Sequence, residues 1–150
     1  MVQQARKTEI YDALVCGDLL TALPHIAQTE FGGPCDLVLA ADVLCYFERL
    51  EGLMAAVVAI FKSGGLFAFS VEPCVEALTD SAACKADDVV ELPGNATRYK
   101  HRIEYVQACA ELAGMEIVAC RKTIGRYANS ITPVPYTLLL LRCRVSGMAM

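Results

Sequence analysis

The sequence lacks several patterns that would assign it to common functional classes. It has eight cysteines but no C-x-x-C pair, so a zinc or dithiol redox motif has no support. No Lys/Arg block stands out, which argues against a surface that binds phosphate without regard to sequence. No apolar run is long enough to span a bilayer, and no segment resembles a secretion signal. We therefore expect a cytoplasmic protein with reduced cysteines that binds neither nucleic acid, nor membrane, nor metal.

What is present indicates a single globular domain. The chain has 150 residues, of which 55% are hydrophobic and 20% are charged, so it can bury a substantial core. Seventeen acidic and thirteen basic side chains give a formal net charge of −4. No internal repeat is visible, so a solenoid or an array of small units is not indicated.

One stretch, from Cys35 to Phe47, organises the chain. It contains a continuous apolar run, which is typical of a strand covered on both faces, as in a parallel sheet. The run ends at Ala40, Ala41 and Asp42. Small residues and a carboxylate at the carboxyl end of a parallel strand fit the place where open α/β sheets bind ligands. A core strand followed by an ordinary polar turn explains the same stretch equally well.

The chain before this stretch is predicted to hold two helical segments and a strand. Residues 1–9 favour helix and resemble the end of a helix rather than the start of a domain. A short strand is predicted from Ile10 to Cys16, where a Gly-Asp turn ends it. Apolar residues at roughly helical spacing follow from Leu19 to Ala27, interrupted by Pro24.

The chain after this stretch predicts a helix and a parallel strand. Between Glu48 and Lys62 apolar residues recur at i, i+3 and i+4, which indicates a helix. We expect Ser63-Gly64-Gly65 to end that helix with a left-handed glycine. A strand from Leu66 to Val71 follows, so the whole forms a βαβ unit with parallel strands.

The last part of the chain predicts an irregular segment, a helix and two strands. We expect residues 73–97 to form a surface insertion. The remaining elements are a helix from Arg98 to Ala113, a strand from Met115 to Thr123, a loop from Ile124 to Pro135 and a last strand from Tyr136 to Val145. The short link between the two strands, with its prolines, indicates that the final pair is antiparallel.

This order of elements resembles the second half of a class I S-adenosylmethionine-dependent methyltransferase. The similarity covers nearly the whole chain, and five segments carry it: Asp12–Leu19, Asp36–Tyr46, Phe61–Glu72, Arg98–Tyr105 and Gly114–Ile117. The Ser-Val-Glu sequence at 70–72 and the Arg-Tyr-x-His sequence at 98–101 resemble most closely the predicted methyltransferases that are fused to tetratricopeptide repeats.

The resemblance implies an α/β fold: a Rossmann-like class I methyltransferase sheet that is incomplete, with its first two strands missing and its last strand antiparallel. In the family the first two strands lie between the third and the fourth, and they carry a Gly-rich cofactor loop and an acidic residue for the ribose. The sequence contains no G-x-G. We therefore expect residues 1–150 to be a partial methyltransferase domain of a longer chain, which upstream tetratricopeptide repeats would extend.

The resemblance also implies a cofactor, S-adenosyl-L-methionine, and residues that contact it. Asp18 and Leu19 resemble the contact with the adenine, in which a carboxylate accepts from the exocyclic amine and leucine packs on the ring. Ala40 and Ala41 resemble the wall beside the cofactor's sulfur, where small residues permit close approach. Asp18 is otherwise an ordinary turn aspartate.

Three further residues are candidates for contact with the methyl acceptor. Asp42 would orient or deprotonate the acceptor, or else cap the following helix. Tyr46 would line the acceptor pocket, or else lie in the core. His101 would act as a general base from the start of the last helix, or else be a solvated surface histidine. Methyl transfer from a sulfonium needs donor and acceptor held in line, so no protein nucleophile is required.

The sequence thus predicts an enzyme that transfers a methyl group from S-adenosylmethionine to an unidentified small-molecule or protein acceptor, with this part alone inactive. The alternative is a catalytically inactive methyltransferase-like module that binds a protein partner. A nicotinamide-binding Rossmann domain ranks last, because it also needs a Gly-rich loop and does not explain the two acidic turns.

Overall fold

A computed structural model describes residues 2–29, 34–74, 98–128 and 130–144. Four helices, α1 to α4, span Val2–Arg6, Leu19–Thr29, Glu51–Val58 and Ile103–Leu112, and four strands, β1 to β4, span Cys35–Ala40, Phe61–Val71, Met115–Ala128 and Thr132–Cys143. The helices α2, α3 and α4 and all four strands overlap segments whose spacing predicts them. The continuous apolar runs in β1 and in the middle of β4 both form strands.

The four strands form one mixed sheet in the order β1-β2-β4-β3. β1 and β2 are parallel, whereas β4 is antiparallel to both β2 and β3. The predicted βαβ unit and the predicted antiparallel final pair are therefore confirmed, and the sheet is an open, incomplete Rossmann-like one. Because β1 and β2 are parallel, their carboxyl ends meet at the same edge of the sheet.

One face of the sheet carries the core. The register places Ala40 of β1 beside Phe69 of β2 and Leu139 of β4, so these side chains share a face. Helices α2, α3 and α4 pack on that face with the buried residues Leu23, Leu53, Met54, Val57, Val106, Cys109 and Ala110. The rings of Phe67 and Phe69 lie there with their centroids 4.5 Å apart.

The opposite face is largely bare. Leu37 and Leu39 of β1 are 49% and 72% exposed, and Leu138 of β4 is 43% exposed. The expectation that β1 is buried on both faces is therefore wrong for the described residues. Within them β1 is an edge strand, and the three helices of the core all lie on its other side. We name the bare side the open face.

The predicted strand from Ile10 to Cys16 is also wrong, because these residues form no strand. Ile10 is 74% exposed, Tyr11 55% and Val15 45%. A strand is stable only when a neighbour satisfies its backbone groups. In the resembling family two other strands separate this segment from β1, and no described residue takes their place.

The helix before β2 is shorter than predicted, and its glycines have a different role. α3 ends at Val58, and β2 already begins at Phe61. Gly64, with a φ of +77°, therefore lies inside β2 at the point where the β1–β2 register shifts. A Cβ on Gly65 would come within 2.6 Å of the Phe61 ring. The pair forms a bulge in the strand rather than the end of a helix.

The predicted loop from Ile124 to Pro135 is a β-hairpin instead. β3 and β4 remain paired out to Ala128 and Thr132. Pro133 and Pro135 are tolerated because β4 pairs with β2 only from Thr137 onward, so a missing N–H breaks no second ladder. The predicted insertion at 73–97 lies outside the described residues from 75 onward. Pro73 forms a bridge with His101.

Candidate functional site

An apolar hollow lies at the edge of the sheet where β1 and β2 end. Its volume is about 260 Å³, and Leu39, Ala40, Ala41, Ala68, Phe69, Ser70, Leu138 and Leu139 line it. The small side chains of Ala40, Ala41 and Ala68 leave the backbone accessible. The carboxyl end of parallel strands is where open α/β sheets bind ligands, so this edge is the candidate site.

Asp42 follows the hollow directly and is held in an uncommon backbone conformation. Its φ is +54°, a region that aspartate and asparagine visit more readily than other side chains do. Its N–H donates to Ser70 Oγ over 2.9 Å, which ties the loop after β1 to the end of β2. Asp42 does not cap a helix: the 3₁₀ turn Leu44–Tyr46 has Val43 in that position and no side-chain cap.

Arg98 joins the loop after β1 to the end of β2 by binding two carboxylates. Its Nη2 donates to Asp42 Oδ1 and to Glu72 Oε1, each over 2.5 Å. The side chains of Arg98 and Glu72 are each only 7% exposed, whereas that of Asp42 is 46% exposed. A planar guanidinium presents several donors in a fixed fork, which suits a group shared by two carboxylates.

Tyr136 and Arg126 bring the β3–β4 hairpin into the same cluster. The Tyr136 hydroxyl donates to Asp42 Oδ1 over 2.6 Å, and Arg126 Nη2 donates to Glu72 Oε1 over 3.2 Å. Gly125 makes room for the tyrosine ring, since a Cβ there would lie 2.3 Å from Tyr136 Cγ. Two carboxylates thus face two guanidinium groups, and we name these four charged side chains with Tyr136 the Arg98 cluster.

The cluster keeps both carboxylates ionised. Burial alone would raise the pKa of Asp42, but hydrogen bonds from Arg98 and Tyr136 outweigh it and hold that pKa below its usual value. Burial would likewise raise the pKa of Glu72, but hydrogen bonds from Arg98 and Arg126 outweigh it, so that pKa is also lowered. Burial raises the pKa of Tyr136 to about 12, so its hydroxyl stays protonated at neutral pH. Asp42 is therefore suited to accept hydrogen bonds and poorly suited to take up a proton.

Tyr46 lies at the rim of the cluster rather than in the core. Its side chain is 49% exposed, and its hydroxyl accepts from Arg98 Nη1 over 3.4 Å. The guanidinium of Arg98 also lies 5.4 Å from the centre of the Tyr46 ring. The ring is thus half-exposed and bound to Arg98, and its role in lining an acceptor pocket stays a prediction.

His101 is buried, so the alternative of a solvated surface histidine is wrong. It is 2% exposed, its Nε2 lies 3.2 Å from the Leu44 carbonyl oxygen, and its ring stacks on Tyr105 with centroids 5.9 Å apart. Burial lowers its pKa in spite of backbone carbonyls that oppose this, so the ring is neutral at pH 7. The geometry supports a role in holding the loop after β1, and the proposed base role stays a prediction.

Asp18 and Leu19 lie at the start of α2, on a different element from the cluster. Asp18 Oδ1 accepts from the Thr21 N–H over 3.0 Å and from its hydroxyl over 3.1 Å, which makes Asp18 the N-cap of the helix. Leu19 packs partly against the core. Their adenine contact stays a prediction, as does that of Ala40 and Ala41 with the cofactor.

The sequence indicates Asp42 and Tyr46 as candidate site residues, but it does not indicate the residues that form hydrogen bonds with them. Ser70, Glu72 and Arg98 all lie in the two short segments that carry the closest family resemblance, Ser-Val-Glu and Arg-Tyr-x-His. Their presence there was a signal, although nothing in the sequence shows that they meet. Within the described residues no group of three or more His, Cys, Asp or Glu is placed to hold a metal ion. No helix there is long and apolar enough to cross a membrane.

Solved structures of S-adenosylmethionine-dependent methyltransferases share this fold. Magnesium protoporphyrin IX methyltransferase from Synechocystis PCC 6803, with bound S-adenosylhomocysteine, matches 93% of this chain over 56% of its own, at a TM-score of 0.57 and 16% identity. N-methyltransferase NodS from Bradyrhizobium japonicum WM9, also with S-adenosylhomocysteine, matches 93% of this chain over 58% of its own, at a TM-score of 0.56 and 16% identity.

A third structure, a putative S-adenosylmethionine-dependent methyltransferase from Listeria monocytogenes, matches 95% of this chain over 75% of its own, at a TM-score of 0.59 and 16% identity. No protein-family model and no curated protein matches the sequence. The chain thus has the fold of these methyltransferases, and it spans 56% and 58% of the lengths of the first two. At 16% identity the likeness concerns the fold alone.

Proposed function

We propose that this chain is part of an S-adenosylmethionine-dependent methyltransferase that acts on a small-molecule or protein acceptor in the context of a longer chain. The observation that supports it best is the Asp42 carboxylate, fixed by the Arg98 cluster at the end of β1 beside the apolar hollow. The fold shared with such enzymes supports the same function.

The described residues fit a part of the cofactor. The hollow, at about 260 Å³, is smaller than the sites that enclose whole drug-sized ligands, which measure about 300–1,000 Å³. Its alanines suit close approach of an apolar or weakly polar group. In the described residues no acidic side chain lines the hollow to bind ribose hydroxyls. The open face, with its exposed leucines, supports the proposal that further chain completes the site.

When bound, S-adenosylmethionine supplies an activated methyl group. The residues of this chain hold the acceptor. The exposed part of the Asp42 carboxylate accepts a hydrogen bond from an acceptor hydroxyl or amine, and the accessible face of Tyr46 packs beside it. Arg98 and Tyr136 hold Asp42 in one orientation, so little reorganisation is needed when the acceptor binds. Since hydrogen bonds from Arg98 and Tyr136 lower the pKa of Asp42 and so make its carboxylate a weak base, we assign it to positioning rather than to proton abstraction.

Calorimetric titration of S-adenosylhomocysteine into the longest product translated from the gene tests this proposal. We expect Ala41→Leu, which fills the hollow, to weaken binding at least about tenfold, or ~1.4 kcal/mol. Ala55→Leu on the exposed side of α3 is the matched control and leaves the affinity unchanged. Tight binding that survives Ala41→Leu would contradict the placement of the cofactor. No binding by a folded full product would contradict the function itself.

The second candidate function is an inactive methyltransferase-like module that binds a protein partner. One observation favours it: Oδ1 of Asp18, the predicted adenine contact, is already engaged in capping α2. Asp18→Ser keeps a cap but shortens the side chain. If that variant binds S-adenosylhomocysteine as tightly as the native chain, the adenine assignment fails, and if neither binds, the inactive module is the better proposal.

A further inference from the structure

β3 forms one edge of the sheet, and no described strand pairs with its outer side. It is 14 residues long, and from Val118 to Gly125 every side chain is exposed, whichever face it points to. Such an edge presents a row of unpaired backbone N–H and C=O groups, which is a template for another strand. We name this outer side the β3 edge.

Large apolar side chains lie along the β3 edge. Ile124 is 53% exposed and Tyr127 58%, and Ile131, in the turn that follows, is 82% exposed. Proteins commonly protect an edge by keeping it short, bulged or charged, because an exposed apolar edge pairs with other chains. The pairing of β3 with β4 shifts in register between Ile117 and Ala119 and again between Ile124 and Arg126, but the apolar side chains of Ile124 and Tyr127 remain uncovered by any described residue.

The charge of this region is mainly positive. Strands β3 and β4 carry four basic side chains and one acidic one, Glu116, whereas the whole chain has a net charge of −4. Arg126 is engaged by Glu72, and Arg142 lies 4.0 Å from Glu116. Arg121 and Lys122 are exposed and form no ion pair with any described residue. As neighbours in a strand they point to opposite faces, so both sides of the edge are positive.

We propose that the β3 edge binds an extended, acidic segment of a protein partner, which adds a fifth strand to the sheet. Backbone pairing would satisfy the free N–H and C=O groups of β3, two acidic side chains would face Arg121 and Lys122, and apolar ones would pack on Ile124 and Tyr127. A second copy of this edge is disfavoured, because it would bring like charges together. A nucleic acid or an anionic membrane would leave the backbone groups unpaired.

Fluorescence anisotropy of the longest product translated from the gene with a short capped peptide tests this. The probe consists of valine and threonine around two central glutamates, and its counterpart has two lysines there. We expect the glutamate peptide to bind and the lysine peptide not to. Arg121→Glu with Lys122→Glu weakens binding at least about tenfold. Arg6→Glu with Lys7→Glu, an exposed basic pair at the C-terminal end of α1 with the same change of charge, has little effect. Melting temperatures of both variants verify that they fold.

A second probe separates strand addition from charge attraction. The same glutamate peptide with alternate backbone nitrogens methylated keeps its charge but cannot pair with a strand, so we expect its binding to be lost. Binding to the native peptide should also slow amide hydrogen exchange along β3.

Equal binding of the methylated peptide or of the lysine peptide would overturn the proposal. Self-association of the chain that Arg121→Glu abolishes would overturn it in favour of a second copy. Absence of peptide binding, where polyuridylate or phosphatidylserine vesicles bind, would overturn it in favour of a nucleic acid or a membrane. The proposal does not depend on methyl transfer, since the probe contains neither cofactor nor acceptor.

Discussion

The two faces of the sheet differ in almost every respect. On the core face Phe67 is 1% exposed and Leu141 is fully buried, and three helices cover the strands. On the open face Leu39 is 72% exposed. Side chains along each strand point to the two faces in turn, so Leu39 of β1 is exposed whereas its neighbour Ala40 is partly buried against the core.

This contrast supports the proposal that the functional site lies on the open face. The core face is a packed apolar interior between the sheet and three helices. Ser70 and Tyr136, which share the open face by strand register, contact Asp42. The apolar hollow lies beside them. The proposal thus assigns stability to the core face and binding to the open face, and each of the following changes tests one side of that division.

Removal of a large core side chain should have the greatest effect. Phe67→Ala deletes a buried ring that packs against Phe69, and we expect it to lower the free energy of unfolding by about 3–5 kcal/mol. Leu39→Ala, its counterpart on the open face, should cost less than about 0.5 kcal/mol. Urea denaturation measures both. Equal losses would mean that the open face is covered in solution.

Loss of Arg98 should come next. Arg98→Ala leaves the buried Glu72 carboxylate short of its main partner, and we expect a cost of about 3 kcal/mol. Arg49→Ala is the matched control, because Arg49 forms an exposed pair with Glu51 over 2.9 Å, and such pairs contribute about 0–1 kcal/mol. If the two variants unfold at the same urea concentration, the cluster does not stabilise the site.

A methyl group at Gly125 should have a smaller effect, confined to the site. Gly125→Ala places a Cβ against the Tyr136 ring, which overpacks the hairpin by about 1–3 kcal/mol and moves the hydroxyl away from Asp42. Gly52→Ala in α3 meets only Leu20, at 3.8 Å, and should stabilise the helix by roughly 0.5–1 kcal/mol. Thermal unfolding checks the pair, and a neutral Gly125→Ala would contradict the contact.

The smallest expected effect is a dependence of stability on pH through His101. Burial holds its folded-state pKa below the ordinary 6.5. The unfolded chain therefore binds the proton first as the pH falls, so the stability is complete above pH 6.5 and declines as the pH drops toward the folded-state pKa. His101→Gln should remove this decline without affecting the loss at lower pH that Asp42 and Glu72 cause. If the melting temperature of the His101→Gln variant depends on pH between 7.5 and 5 as that of the native chain does, this role of His101 is refuted.

Much of the fold was predictable, because each element has its own periodicity. The apolar spacing found α2, α3 and α4, and the strand-forming runs found all four strands of the sheet. The exposure of one face of β1 was not predictable, since an apolar run does not reveal which strands and helices pack against it. The hairpin was missed because Pro133 and Pro135 suggest a loop, and only the register shows that β4 has a single partner there.

The site was predictable only in part. Asp42 and Tyr46 follow an apolar strand and so carry a local signal. The contact of Asp42 with Tyr136 joins residues 94 positions apart, and that with Arg98 joins residues 56 apart. A single sequence does not show that residues so far apart along the chain are in contact. Gly125 has its role only because of the Tyr136 ring, which the sequence does not place beside it.

The most direct test of this division between the faces is an NMR titration of the longest product translated from the gene with S-adenosylhomocysteine. We predict that the backbone amides of Ala41, Asp42 and Ser70 shift on binding, while those of α3 and α4 do not. Shifts confined to the helices of the core face, or spread evenly over both faces, would contradict the assignment of function to the open face.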